Sequence, residues 1–157
     1  MKSVIAPEGM ARVLQSHGMS AEVFEFPQST RTAAEAAAAI GCEVGAIGKS
    51  LLFMTREGGK PLLVIASGSA RVDEKKFAAF VGEEVRKAQA EEVKAVTGYS
   101  IGGVPPFGHA QKLDVFIDES LQRYETIWVA AGSPFTVMPF APTVLQEVAA
   151  GKWVSVQ

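Results

Sequence analysis

A stretch rich in glycine and proline, residues 97–109, carries the strongest chemical signal in this sequence. Its four glycines and two prolines are incompatible with a helix and unfavourable in a central strand. Glycine lets the backbone adopt positive φ and lets another molecule approach its N–H groups, while proline stiffens the chain. We therefore expect either a rigid loop that offers backbone donors to a carbonyl oxygen, phosphate or water, or a connecting loop that binds nothing.

Lys49 is the second candidate, because a charged residue stands immediately before the apolar run 50–54. A lysine at the start of a strand must meet water or an anion, and its ammonium is a compact point charge suited to a phosphate. The alternative is a lysine whose stem lies along apolar surface while its charge stays in water. Position alone leaves both interpretations open.

The remaining reactive side chains form no recognisable catalytic pattern. Cys42 follows a glycine that ends a helix, so a buried inert thiol is expected, and a hydrolase that pairs Cys42 with a histidine is kept as a minor alternative. The sequence contains neither a Gly-x-Ser-x-Gly elbow nor a His-Glu-x-x-His motif. One cysteine and two histidines without ligand spacing argue against a metal site, and we expect no cofactor.

Periodicity and capping signals predict five helices. The clearest follows Thr32 and Glu35, which are spaced as a capping box before an alanine run, and Gly41 is placed to end it. A second helix begins after Asp73 and ends at Gly82. The others are predicted at residues 7–17, 90–96 and 143–149, the last with Pro142 as its first residue.

Apolar runs predict about six or seven strands. Residues 50–54 and 62–66 are apolar on both faces and flank a turn, which indicates a buried hairpin. Further strands are predicted at residues 21–26, 113–117, 126–130, 135–138 and 153–156. Helices and hairpins in this order indicate one α/β or α+β domain over residues 1–157, with a mixed sheet and helices packed outside it.

Composition narrows the class of protein. The chain has 157 residues, of which 48% are hydrophobic and 20% are charged. Its net charge of −2 excludes the class of basic proteins that bind duplex DNA by neutralising many phosphates. The uncharged stretch 126–146 contains a glycine and three prolines, so no membrane-spanning helix is expected. A single cysteine excludes an internal disulfide framework, and a reduced, cytoplasmic location is expected.

Several motifs, in one order along nearly the whole chain, resemble the YbaK/prolyl-tRNA synthetase-associated domain family. The Lys-Ser-Leu-Leu-Phe element beginning at Lys49 and the Gly-Tyr-x-x-Gly-Gly-Val-x-Pro-x-Gly element beginning at Gly98 are specific in combination. The other matching segments are residues 29–33, 72–76 and 131–132. The family consists of editing domains that hydrolyse mischarged aminoacyl-tRNA, with a mixed, curved sheet surrounded by helices.

The resemblance implies roles for individual residues. Lys49 would hold the phosphate or ribose at the 3′ end of the tRNA, and a loop containing Gly102 and Gly103 would position the scissile ester and the attacking water. Catalysis would be substrate-assisted, with a ribose hydroxyl or a substrate thiol taking part. Substrate contacts would come from the residues Ser50, Val104, Pro106, Gly108 and Gly132.

Two functions of different classes remain open from the sequence. One is a trans-acting aminoacyl-tRNA deacylase, and the other is a non-catalytic module of the same fold that binds tRNA or a synthetase. The basic cluster formed by Arg71, Lys75 and Lys76 is compatible with steering an RNA backbone, although most such clusters are simply solvated. The amino acid removed, the oligomeric state and the need for a synthetase partner stay undetermined at this stage.

Overall fold

A long antiparallel hairpin lies at the centre of this computed structural model, which describes residues 2–20 and 22–157. The helices are α1 (Glu8–Ser16), α2 (Ala33–Ile40), α3 (Glu74–Val81), α4 (Ala90–Thr97) and α5 (Pro142–Ala149). The strands are β1 (Lys2–Val4), β2 (Val23–Glu25), β3 (Ile47–Thr55), β4 (Pro61–Ser67), β5 (Val85–Lys87), β6 (Asp114–Asp118), β7 (Ile127–Ala130), β8 (Thr136–Phe140) and β9 (Gly151–Val154). No helix in the described part of the chain is long and apolar enough to cross a membrane.

The described residues form one mixed sheet of nine strands in the order β1-β2-β8-β7-β3-β4-β6-β9, with β5 paired to β3. Parallel pairing joins β3 to β7, β4 to β6 and β6 to β9, and the other pairs are antiparallel. The predicted mixed sheet is confirmed, but the predicted count of six or seven strands was wrong. The two extra strands, β1 and β5, have only three residues each and contain too few apolar residues to give a periodic signal.

The helix ends follow from local chemistry that the sequence shows. The predicted capping box of α2 is confirmed, since Thr32 Oγ1 accepts the Glu35 N–H at 3.1 Å and the Glu35 carboxylate accepts the Thr32 N–H at 3.2 Å. Asp73 caps α3 by accepting two backbone N–H groups, and α2 and α3 end at Gly41 and Gly82 with positive φ. The predicted hairpin of β3 and β4 is also confirmed.

Predicted boundaries shift in other strands as well. The largest shift is in β3, which begins at Ile47 and not at residue 50, so Lys49 lies within the strand and not at its start as predicted. The strand predicted at residues 21–26 is observed as β2, and its first predicted residue, Ala21, lies outside the described residues. The closing strand predicted at residues 153–156 is observed two residues earlier, as β9. Its position is set by parallel pairing, which places Gly151 opposite Val115 on β6.

Alternation along the central hairpin separates two apolar layers. Leu52 on β3 and Leu63 on β4 point into the larger core, which also contains residues of α1, α4 and α5. Phe53 and Leu62 point to the opposite face, where α3 covers them with the fully buried Phe77. The helix α2 packs on this second face beside Ile47.

One edge of β3 is only partly paired, and this feature locates the site described below. β7 pairs with β3 at Ile47 and Gly48 only, whereas β5 begins its pairing at Phe53. Residues 49–51 therefore have β4 on one edge and neither of these strands opposite them on the other. A strand edge without a partner exposes backbone N–H and C=O groups, so this interval can receive another molecule.

An ion pair joins β5 to α4. The Arg86 guanidinium donates two hydrogen bonds of 2.8 Å to the Glu92 carboxylate, which also accepts the Gln89 N–H at 2.9 Å. The guanidinium, and secondarily this backbone donor, lower the pKa of Glu92 from 4.5 to about 2. The charged carboxylate is thereby favoured in the folded state.

We predict a specific pH dependence for this pair. Because the folded-state pKa of Glu92 lies below its unfolded value, its stabilising contribution is present above pH 4.5 and is lost as the pH falls towards 2. The difference in thermal midpoint between wild type and Glu92→Gln should therefore shrink over that interval. Melting curves from pH 2 to 7 test this. The control is the same comparison in an Arg86→Ala background, where the trend should be smaller because the guanidinium is the largest cause of the lowered Glu92 pKa. A difference that stays constant to pH 2 contradicts the prediction.

Candidate functional site

A cavity of about 270 Å³ opens where β7 and β3 separate. Residues from the start of α2, from β3, from the glycine- and proline-rich loop and from β7 and β8 line it. Of the residues predicted for the site, the structure brings together at its wall Lys49, Ser50, Gly102 and Val104. The wall is mostly apolar, with contributions from Ile47, Leu51 and the ring of Trp128 among others.

Lys49 brings a positive charge to this wall. Its side chain is half-buried, and it makes no ion pair or hydrogen bond with any described residue. Lys49 is the first β3 residue after the ladder with β7 ends, and it lies on the sheet face that carries α2 and α3. An ammonium held there without a protein partner favours an anionic ligand.

Ser50 follows on the opposite face of β3 and contributes two kinds of polar group. Its Oγ is shielded from solvent and has no hydrogen-bond partner among the described residues. Ile47 C=O points towards β4, where it accepts the Gly68 N–H, and Leu52 C=O points to the other edge, where it accepts the Ala88 N–H. By this alternation the backbone N–H and C=O of Ser50 point to the unpaired edge.

The loop reaches the cavity through Gly102 and Val104. Gly102 has a φ of +89°, a conformation that side chains with a Cβ rarely adopt. A Cβ there would lie 2.5 Å from Cγ of Arg31, which also lines the cavity. Val104 is 4% exposed and belongs to the larger core, so it fixes the loop to the protein interior while forming part of the cavity wall.

Gly103 and Gly132 lie outside the cavity wall and hold the loop in place. The Gly103 N–H donates to Ser100 C=O at 3.0 Å, and Gly103 C=O accepts the Gly132 N–H at 2.9 Å. A Cβ on Gly103 would lie 2.8 Å from Cα of Ser133. These glycines therefore allow two backbones to pack closely, and the Gly103 N–H is already occupied within the loop.

The far end of the loop is fixed by packing and by one histidine. Pro106 is buried, and a Cβ on Gly108 would lie 2.8 Å from the backbone nitrogen of Met10 in α1. Neither residue lines the cavity. His109 Nε2 lies 2.6 Å from Pro105 C=O, and burial lowers the His109 pKa while this hydrogen bond opposes the change. The neutral imidazole with a proton on Nε2 donates this bond.

Two residues of the cavity region were not singled out from the sequence. Thr30 is 7% exposed and donates both its N–H and its Oγ1–H to Pro134 C=O, at 2.6 and 2.9 Å, which ties the segment before α2 to the loop after β7. Arg31 brings a second cation to the cavity, next to Gly102. The only sequence signal for either residue was their place in the motif at residues 29–33.

The polar groups at the wall suit binding and orientation. Hydroxyl groups of Thr30, Thr32 and Ser50 and the cations of Arg31 and Lys49 are present, whereas no aspartate, glutamate, histidine or cysteine is among the lining residues. Nucleophilic catalysis by the protein requires a nucleophile that contacts a base. Among the described residues Lys49 makes no hydrogen bond to any of these hydroxyl groups, and the hydroxyls of Thr30 and Thr32 donate to Pro134 C=O and to the Glu35 carboxylate. Within the described residues, no group of three or more metal-ligating side chains is assembled.

Comparison with known families decides the class of protein. The aminoacyl-tRNA editing domain family matches residues 27–148. The chain belongs to this family. The editing domain thus spans the helix α2, the central hairpin, the loop and β7, which are the elements that build the cavity.

Individual relatives agree with this assignment. The editing domain is 38% identical over 136 residues to the uncharacterized protein YwhH of Bacillus subtilis, with 86% of each chain covered. It is 27% identical over 148 residues to an Enterococcus faecalis protein named "putative Cys-tRNA(Pro)/Cys-tRNA(Cys) deacylase EbsC", covering 92% of this chain and 90% of that one. A crystal structure titled as a "putative trans-editing enzyme for prolyl tRNA synthetase" superposes with a TM-score of 0.86 at 39% identity, covering 96% and 98% of the two chains. Family and relatives together indicate a function in aminoacyl-tRNA editing and support a deacylase.

We predict that Gly102→Ala lowers the rate of deacylation at least tenfold, about 1.4 kcal/mol of barrier. The added Cβ is strained at φ +89° and displaces Arg31 at the cavity wall. Gly98→Ala is the matched control, because Gly98 has a φ of +85° but its Cβ would only meet Ala110, at 3.4 Å. Both variants should lose about 1 kcal/mol of stability. Single-turnover rates and thermal melting separate the effects; equal rates for the two variants contradict a role for Gly102 at the cavity.

We also predict that Cys42→Ser and His109→Ala each keep deacylation within tenfold of wild type. Burial raises the pKa of the Cys42 thiol, which disfavours the reactive thiolate, and the side chain packs against α2 outside the cavity wall. His109 is engaged with Pro105. Single-turnover assays check both variants, and a thousandfold loss in either, with the fold intact, would establish a protein nucleophile or base.

Proposed function

We propose that this editing domain is a trans-acting deacylase that hydrolyses the ester between a mischarged amino acid and the 3′ end of a tRNA. The observation that carries the proposal is the cavity itself, an apolar recess with an unpaired lysine at its wall and no aspartate, glutamate, histidine or cysteine among its lining residues. An aminoacyl ester is already an activated acyl group. Its hydrolysis needs an oriented water and a stabilised oxyanion more than a protein nucleophile.

Lys49 is the proposed anchor for the terminal nucleotide. Its ammonium has no partner among the described residues, and it stands at the mouth of the gap between β7 and β5. Contact with the phosphate or ribose of the terminal adenosine places the ester carbon inside the cavity. The volume of about 270 Å³ is below the ~300–1,000 Å³ typical of sites for drug-sized molecules, which suits a small aminoacyl group.

The loop residues supply orientation in this mechanism. The Gly103 N–H is occupied by Ser100, whereas the Gly102 N–H donates to no described residue and is the group we assign to the carbonyl oxygen of the ester. Such a preorganised donor is worth most where charge develops in the transition state. Pro106, Gly108 and Gly132 act indirectly, by fixing the loop.

The reaction balances without a cofactor. A water oxygen attacks the ester carbonyl carbon and forms a tetrahedral oxyanion. The bond from this carbon to the ribose oxygen then breaks, and that oxygen takes up a proton released by the water. The products are the free amino acid and the tRNA with its terminal hydroxyl restored. In the absence of a protein base at the wall, the vicinal ribose hydroxyl or a substrate thiol is the group proposed to orient the water.

Lys49→Ala tests the proposal most directly. We expect a loss of about a hundredfold or more in single-turnover deacylation, comparable to the removal of one preorganised donor, with unchanged melting because the ammonium has no protein partner. Lys49→Arg preserves the charge and should retain part of the activity. The assay uses Ala-, Cys-, Ser- and Thr-charged tRNA species.

The same panel identifies the outcomes that contradict the proposal. Near-wild-type turnover by Lys49→Ala would remove Lys49 from the mechanism. Tight binding of aminoacyl-tRNA by the wild-type protein without hydrolysis of any member of the panel would assign the chain instead to a non-catalytic tRNA-binding module. Because the variants are purified in the same way as the wild type, their lower rates also exclude a contaminating hydrolase.

A further inference from the structure

A second hollow, of about 360 Å³, shares Lys49 with the cavity. Lys49 and Leu51 line both recesses, so the two recesses adjoin along β3. We call this second surface the basic hollow, and its lining residues are Lys49, Leu51, Arg71, Val72, Glu74 and Lys87.

The sheet register explains how three distant cations meet there. Lys87 on β5 is paired with Phe53 on β3, and directly paired residues of antiparallel strands point to the same face. Phe53 and Lys49 are four residues apart on β3, so their side chains lie on the same face of the sheet. The helix α3 covers this same face through Phe77, which places the residues before and at its N-terminus, including Arg71, at the border of the hollow.

The charges of the basic hollow are not neutralised by the protein. The side chains of Lys49, Arg71 and Lys87 make no ion pair or hydrogen bond with the described residues, whereas Lys60 and Arg86 elsewhere pair with carboxylates. Glu74 is the single acidic side chain of the lining. Three cations facing one acid around a concave surface leave a local excess of positive charge, which attracts an anion.

We infer that the basic hollow binds the phosphodiester groups that lead away from the aminoacylated nucleotide, in the single-stranded 3′ end of the acceptor strand. The inference rests on the proposed function, because the shared wall at Lys49 connects the hollow to the cavity that receives the ester. The terminal nucleotide contacts Lys49, and two preceding phosphates lie against Arg71 and Lys87, one at each residue. A guanidinium offers a phosphate two parallel donors and an ammonium offers a point charge, so both residue types suit this ligand.

Binding of a short RNA tests the inference without any need for activity. The probe is a fluorescein-labelled single-stranded hexanucleotide ending in CCA, measured by fluorescence anisotropy from 50 to 200 mM salt with the full chain. Arg71→Ala/Lys87→Ala should bind about tenfold more weakly. The slope of log K against log salt should also decrease in magnitude by about 1.4, since each lost phosphate contact of a single strand contributes about 0.7.

Two further variants test whether RNA binding depends on the position of the charges and not on the net charge of the protein. Lys112→Ala/Lys152→Ala removes the same charge from two exposed lysines outside the basic hollow and should bind RNA as the wild type does. Glu74→Gln removes the one acid of the hollow and should bind more tightly. The inference is overturned if both double variants weaken RNA binding equally. It is also overturned if neither Glu74→Gln nor Arg71→Ala/Lys87→Ala changes the RNA affinity.

A phosphate-free substrate distinguishes a phosphate contact from a structural effect. Arg71→Ala/Lys87→Ala should raise KM for aminoacyl-tRNA about tenfold with little change in kcat, and should leave the hydrolysis of 3′-O-aminoacyl-adenosine unchanged. An equal loss on both substrates would show that these residues support the fold of the site, and the inference would fall. Displacement of the RNA by inorganic phosphate at the concentration of the RNA itself would assign the hollow to a free anion and would also overturn it.

The inference and the proposed function can fail separately. RNA binding that depends on Arg71 and Lys87, without hydrolysis of any aminoacyl-tRNA, would support RNA binding by the basic hollow and contradict the deacylase activity. If aminoacyl-tRNA is hydrolysed but RNA binding does not change on substitution of Arg71 and Lys87, the deacylase activity is supported and RNA binding by the basic hollow is contradicted. Thermal melting verifies the fold of each variant, and the single variants Arg71→Gln and Lys87→Gln repeat the measurement if the double variant does not fold.

Discussion

The incomplete pairing of one edge of β3 is the constraint on which the site depends. β4 pairs with β3 from Gly48 to Met54, while β7 leaves it after Gly48 and β5 joins it only at Phe53. The interval at residues 49–51 is therefore rigid on one edge and open on the other. Alternation then places the Lys49 side chain on one face and the Ser50 side chain on the other, with the Ser50 backbone directed into the gap. A strand with two complete ladders would leave no room for a ligand there.

The loop opposite this gap is held by many small constraints and contains few residues that face the cavity. Backbone hydrogen bonds join Gly103 to Ser100 and to Gly132, and His109 fixes the carbonyl of Pro105. Such a loop needs little reorganisation when a substrate binds. That property suits a reaction in which the protein contributes orientation and fixed dipoles while the substrate supplies the reacting groups. It also explains why several glycines of the loop belong to its support and only Gly102 lies at the wall.

Local chemistry was predictable from the sequence, and pairing between distant segments was not. The capping box of Thr32 and Glu35 and the apolar hairpin are encoded within a few residues, and the structure confirms them. β5 became a strand only through its pairing with β3, so its three residues gave no signal alone. Lys49 stood out because a charge precedes an apolar run. Lys87 could not be connected to it from the sequence, since only the register opposite Phe53 places both on one face.

The attraction of this protein for a nucleic acid depends more on where its charges lie than on its net charge. The chain carries a net charge of −2, and five of its basic residues are held in ion pairs with carboxylates among the described residues. Charges that are paired in this way contribute little to the electrostatic field around the molecule, whereas the fields of the unpaired cations that line the basic hollow add to one another. A negative protein repels the long phosphate backbone of a duplex at a distance. A short single-stranded end that enters the gap comes within about one Debye length of the unpaired cations, so their attraction is only partly screened. The local charges therefore favour binding of a single-stranded end over binding of a duplex.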